Sequence, residues 1–127
     1  MDERLKSILN KFANSKVQSI NEYYNICFIC TDTRKRYIQL DGFWRVFQDK
    51  ILKTSSEEKD NFQDLKKLIV RKEVTKLYIS KHGPDLILVI EGGLELQLLT
   101  LSSQYENWVV NQEVICLPGG EIDYFID

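Results

Sequence analysis

The sequence predicts an α+β fold: a curved antiparallel β-sheet or incomplete barrel of about six to eight short strands, with an N-terminal helix and one internal helix. Three observations lead there. Runs of β-branched and aromatic residues recur between Gly, Asn and Asp turn signals, most clearly in LILVIEGGLELQLLT from Leu86 to Thr100. Two other stretches repeat their apolar residues at helical intervals. A length of 127 residues leaves room for one core, so 1–127 is read as a single domain.

Taken in order, residues 3–19 place Leu5, Ile8, Leu9, Phe12 and Val17 near one stripe, which predicts an amphipathic helix packed on the core. Tyr23–Thr31 is a strand, Thr31–Arg34 a polar turn, and Arg36–Leu40 the returning strand of a hairpin. After the Asp41-Gly42 turn, alternation over Phe43–Phe47 puts Phe43, Arg45 and Phe47 on one face and Trp44 and Val46 on the other. Gln48-Asp49-Lys50 turns into Ile51-Leu52. Ser55 and Glu58 have capping-box spacing, and Phe62, Leu65, Leu68 and Ile69 follow at helical intervals, which predicts a helix over 57–69. Val74–Lys81 is a strand closed by the His82-Gly83-Pro84-Asp85 turn. Gly92-Gly93 then joins two apolar strands, two glycines supplying the positive φ of a tight hairpin turn. Leu86, Leu88 and Ile90 share one face and Ile87 and Val89 the other, the pattern of a strand covered on both sides. Trp108–Val110, Val114–Leu117 and Ile122–Ile126 complete the strands.

Charge divides along the chain. From Asp85 to Asp127 there are eight carboxylates and no lysine or arginine, a formal −8. The preceding residues hold all 17 basic side chains and the other 11 acids, a formal +6 hidden by the overall −2. An acidic half of this kind attracts basic partners and speeds encounter. Glu91, Glu95, Glu106, Glu121 and Asp123 are the candidate charges for that contact, and Tyr105 and Trp108 its candidate anchors, since Tyr and Trp are enriched at binding hot spots.

Catalytic and metal-binding chemistry finds little to work with. The one histidine, His82, sits in a Gly-Pro turn without a recognisable nucleophile elbow. Cys27-x-x-Cys30 lies inside an apolar strand, where side chains three apart face opposite ways, and three cysteines do not make a disulfide framework. No catalytic residue, metal site or cofactor is therefore assigned, and the expectation is a binding protein, not an enzyme. No apolar run reaches the ~18 residues that span a bilayer, and MDERLKSILNKF lacks the hydrophobic block of a secretory signal. The expected compartment is the cytoplasm, with no membrane contact.

With YENW (Tyr105–Trp108), PGGE (Pro118–Glu121), GFWR (Gly42–Arg45) and the apolar strand pair across Gly92-Gly93, the chain resembles small bacterial immunity proteins encoded beside polymorphic toxins, contact-dependent growth inhibition systems among them. The resemblance implies a cytoplasmic, non-enzymatic antitoxin that binds the C-terminal domain of a cognate toxin, commonly a nuclease, and blocks its active site or another needed surface. Each such protein is specific to its own toxin, so the resemblance assigns no binding residues. The expected partner is a basic nuclease domain, with no direct contact to nucleic acid. Two rival readings are a nucleic-acid-binding module using Arg34, Lys35, Arg36, Arg45 and the lysine-rich, basic N-terminal half, and a small-molecule or hydrolytic barrel with carboxylates in its mouth.

Overall fold

The computed structural model describes residues 3–80, 85–99, 108–110, 114–116 and 122–124. Among these residues two helices, α1 (Glu3–Asn10) and α2 (Asn61–Ile69), accompany eleven short strands. These are β1 (Lys16–Ile20), β2 (Asn25–Ile29), β3 (Lys35–Leu40), β4 (Trp44–Gln48), β5 (Ile51–Ser55), β6 (Val74–Ile79), β7 (Leu86–Ile90), β8 (Leu94–Leu98), β9 (Trp108–Val110), β10 (Val114–Cys116) and β11 (Ile122–Tyr124). The α+β class and the antiparallel pairing are as the sequence predicts. The strands are more numerous, and they divide between two sheets, neither closed into a barrel: β1-β2-β3-β9-β10-β11 and β5-β4-β8-β7-β6.

Strands β2, β3, β4, β7, β8 and β9 turn their even-numbered residues toward one core. Ile26, Phe28, Ile38, Leu40, Trp108 and Val110 come from the six-stranded sheet, and Trp44, Val46, Leu86, Leu88, Ile90, Leu94, Leu96 and Leu98 from the five-stranded one. Leu5, Ile8 and Leu9 of α1 and Leu65 and Ile69 of α2 join the same cluster. Phe12 and Phe28 meet edge to face at 5.3 Å between ring centroids.

The first helix is shorter than its apolar periodicity predicts. After Asn10 the amides of Lys11, Phe12 and Ala13 bond three residues back, tightening the turn. Asn14 then takes a left-handed φ of 62° and its amide reaches the Val74 carbonyl at 2.8 Å. The chain reverses there, so Val17 packs from β1 rather than from a helix. β1 pairs on one side with β2 and on the other with the segment leading into β6, through Val17 N to Lys72 O at 2.9 Å and Arg71 N to Val17 O at 2.8 Å.

The turn that carries β1 inward leaves Ser15 fully buried, and its Oγ has no hydrogen-bond partner among the described residues. A buried hydroxyl without a partner costs about 1–3 kcal/mol. Ser15→Ala is therefore expected to raise stability by about 1 kcal/mol in urea titrations followed by circular dichroism. A loss of stability would show the hydroxyl to be bonded.

The internal helix also starts late. Ser55 is the last residue of β5; its Oγ accepts from the Glu57 amide at 3.3 Å and its carbonyl from the Glu58 amide at 3.0 Å. That closes a turn instead of a capping box. Asn61 Nδ2 bonds the carbonyls of Ser56 and Glu58, and α2 begins there. Thr54 Oγ1 donates to Asp64 Oδ2 at 3.3 Å, tying β5 to the helix.

The β7–β8 hairpin forms as predicted, with φ of 87° at Gly92 and 75° at Gly93. The neighbouring β4–β5 turn has the same handedness without glycine: Asp49 and Lys50 stand at φ 51° and 69°. The turns abut through Asp49 N to Gly93 O at 2.9 Å. A Cβ on Gly93 would run into the Asp49 carboxylate.

Candidate functional site

Where one face of a sheet is turned to the core, the alternate residues form the other face. In the five-stranded sheet, register places Leu52, Phe47, Glu95, Val89 and Lys76 side by side in one row across β5, β4, β8, β7 and β6. The next row is Ser55, Arg45, Gln97, Ile87 and Tyr78. Leu52 is 52% exposed, and Phe43, just ahead of β4, 37%. Phe47, Tyr78 and Val89 are half-buried, while Arg45 and Lys76 are exposed. An antiparallel sheet usually keeps its solvent face polar; here an apolar and aromatic band crosses it.

Specific contacts order the polar side chains. Arg45 Nε donates to Gln97 Oε1 at 2.7 Å, and Gln97 Nε2 donates to Glu95 Oε2 at 2.6 Å. The Arg45 guanidinium also sits 5.2 Å from the centroid of the Phe47 ring, and Lys76 Nζ 4.8 Å from that of Tyr78. Each cation is thus held beside an aromatic face. At the turn end, a groove of about 530 Å³ is lined by Phe47, Asp49, Lys50, Glu91, Gly93 and Glu95 among others. Phe, Tyr and Arg on one patch is the composition of an interface core.

The sequence-predicted site residues separate. Glu95 lies on this face, but Gln97 links it to Arg45, and Lys76 stands in its own row. The local charge is mixed, not acidic, because β7 and β8 insert between β4 and β6, both from the basic part of the chain. Glu91 follows β7 and its Oε1 accepts from the Glu73 amide at 2.8 Å, which pins the entry to β6. Trp108 is fully buried in the core; the anchor role assigned to it is therefore corrected, since a side chain with no exposed surface touches no partner. In the six-stranded sheet Asp123 pairs in register with Ile115 on β10, away from Glu91 and Glu95. Tyr105, Glu106, Glu121 and His82 lie outside the described residues. The lysine- and arginine-free strands form two blocks, β7 and β8 in the middle of the five-stranded sheet and β9, β10 and β11 at one side of the six-stranded one.

The cations of the nucleic-acid reading also separate. Arg36 points inward, 6% exposed, with its guanidinium bonded by two nitrogens to Asp32 at 2.8 and 3.0 Å. Arg45 belongs to the opposite sheet. Cys27 and Cys30 are both buried and unbonded to each other, Cys27 on the outer side of β2 and Cys30 beyond its end. Among the described residues no three His, Cys, Asp or Glu side chains gather as a metal site, and no helix is long and apolar enough to cross a membrane.

Sequence alternation had put Phe43, Arg45 and Phe47 together. It could not show that Leu52, Val89 and Tyr78 would line up beside them, because cross-strand partners are set by register. No family model matches the sequence, and neither the curated proteins nor the solved structures contain a match.

Proposed function

We propose that the chain is an immunity-type antitoxin, acting in the cytoplasm, which captures the C-terminal domain of a cognate toxin on the outer face of its five-stranded sheet. The observation that carries this reading is the band of Leu52, Phe47, Val89 and Tyr78, flanked by Phe43 and set among Arg45, Lys76 and Glu95. Apolar and aromatic side chains supply the binding free energy, and the paired charges fix orientation. The resemblance of GFWR and the Gly92-Gly93 strand pair to immunity proteins points the same way. A mixed-charge face suits a toxin surface of matching mixed polarity, so capture need not depend on the toxin being basic. Binding would occlude the active site or another surface the toxin needs.

The test is co-expression with the C-terminal domain of the exported protein encoded immediately upstream, together with calorimetry of the purified pair. The wild-type chain is expected to rescue growth. Phe47→Ala should weaken binding by about 2 kcal/mol, roughly 30-fold, as central aromatic anchors do. Arg45→Ala should add to that loss, both variants keeping the wild-type circular dichroism spectrum. Full rescue and unchanged affinity in the double variant would remove this face from the account.

A further inference from the structure

The outer face of the six-stranded sheet is a second surface with different chemistry. We propose that its β1–β2–β3 portion binds single-stranded nucleic acid, with phosphates held by Lys16, Lys35 and Arg71 and a base stacked on Tyr37. This goes beyond toxin capture and does not depend on it.

Register supplies the geometry. Lys16, Ile29 and Lys35 stand in one row, and Ser19, Cys27 and Tyr37 in another. With adjacent strands about 4.8 Å apart, the two lysines emerge about 10 Å from each other across Ile29. Ile29 is 38% exposed. Arg71 joins them from the segment paired to β1, and Lys16, Val17, Gln18, Ile29 and Arg71 line a groove of about 220 Å³. Arg34 stands at the adjoining hairpin tip. Of the nearby acids, Asp32 is committed to Arg36, while Glu73 lies across a β-bridge from Lys16. The balance around Ile29 is therefore cationic in a chain of net −2.

Tyr37 provides the stacking surface. It is 46% exposed and stands in its row beside Cys27, whose thiol donates to Gln18 Oε1 at 3.4 Å. The ring therefore presents an accessible aromatic surface in the row next to Ile29 and the lysines. Base stacking on an aromatic side chain contributes about 1–3 kcal/mol and tolerates any base. Lys35 and Arg34 are retained from the sequence-based nucleic-acid set; Arg36 and Arg45 leave it, and Lys16 and Arg71 replace them. A sheet face offers no helix to enter a duplex groove, which favours a single strand.

The experiment is fluorescence anisotropy of a fluorescein-labelled single-stranded RNA of about 12 nucleotides with the full chain, over a range of salt, using unlabelled DNA of the same sequence, its duplex and inorganic polyphosphate as competitors. Saturable binding at low salt is expected, with log K falling against log salt at a slope of about −2 for three neutralised phosphates. Lys35→Glu with Arg71→Glu should weaken binding at least tenfold. Tyr37→Ala should weaken it about 5- to 100-fold while leaving the slope unchanged, and Tyr37→Phe should retain most of the affinity. All three substituted side chains are exposed, so the variants should fold as the wild type does. No binding at low salt, binding indifferent to the charge reversals, or competition by polyphosphate or duplex equal to that by single strands would overturn the proposal.

Discussion

Trp108→Ala is expected to destabilise the chain by about 3–5 kcal/mol, the usual cost of emptying a fully buried large aromatic site. A domain of this size is stable by about 5–15 kcal/mol, so the loss removes a large part of the total. The reason is local. Trp108 is fully buried, and it opens a strand of three residues held between β3 and β10. So short a strand has few ladder bonds of its own; the indole, with the smaller Val110, attaches it to the core. Urea titration by far-ultraviolet circular dichroism measures the shift, with fluorescence of the buried Trp44 reporting on the five-stranded sheet separately. A loss below about 1 kcal/mol would mean that Trp108 is not packed as described, and would reopen its use as a surface anchor. Trp108→Phe should recover much of the loss, because it restores ring volume.

The same residue shows where the sequence was legible. Hairpins were readable because their signals are local: Gly92-Gly93 demands positive φ, and the flanking Leu residues alternate with period two. The stripe through Val17 misled because Leu5, Ile8, Leu9 and Phe12 do follow helical spacing; the reversal depends on Asn14 and on a bond to Val74, sixty residues away in sequence. The acidic half was real in sequence, but those of its members among the described residues are dispersed in space, since strand order, not chain order, decides which charges become neighbours. Glu95 illustrates it: its row-mates Phe47 and Lys76 come from 48 and 19 residues earlier. Nothing local to YENW distinguishes a core Trp from an exposed one.

Asp32→Asn is expected to destabilise the chain more than Arg36→Met does, although the two residues form one pair. Arg36 is 6% exposed and held by Asp32, itself about half-exposed. Removing the carboxylate leaves a buried guanidinium without its counter-charge, whereas Met in place of Arg36 removes the buried charge and keeps an apolar stem. In the Arg36→Met background, Asp32→Asn should therefore cost much less than it does alone, a coupling that a double-mutant cycle measures. The pH dependence has a fixed sign. The Arg36 guanidinium, followed by the Arg34 amide, holds the Asp32 carboxyl down from 3.8 to about 2. A depressed acid stabilises the fold fully above its unfolded value and loses that contribution as pH falls through its folded one. The stability gap between wild type and Asp32→Asn should stay constant above about pH 5 and narrow between about pH 4 and 2. A gap that does not narrow, or an Arg36→Met variant at least as damaged, would mean the pair does not hold the tip. That tip carries Arg34 and leads into Lys35, so Asp32→Asn should also weaken single-strand binding without touching a phosphate-binding side chain.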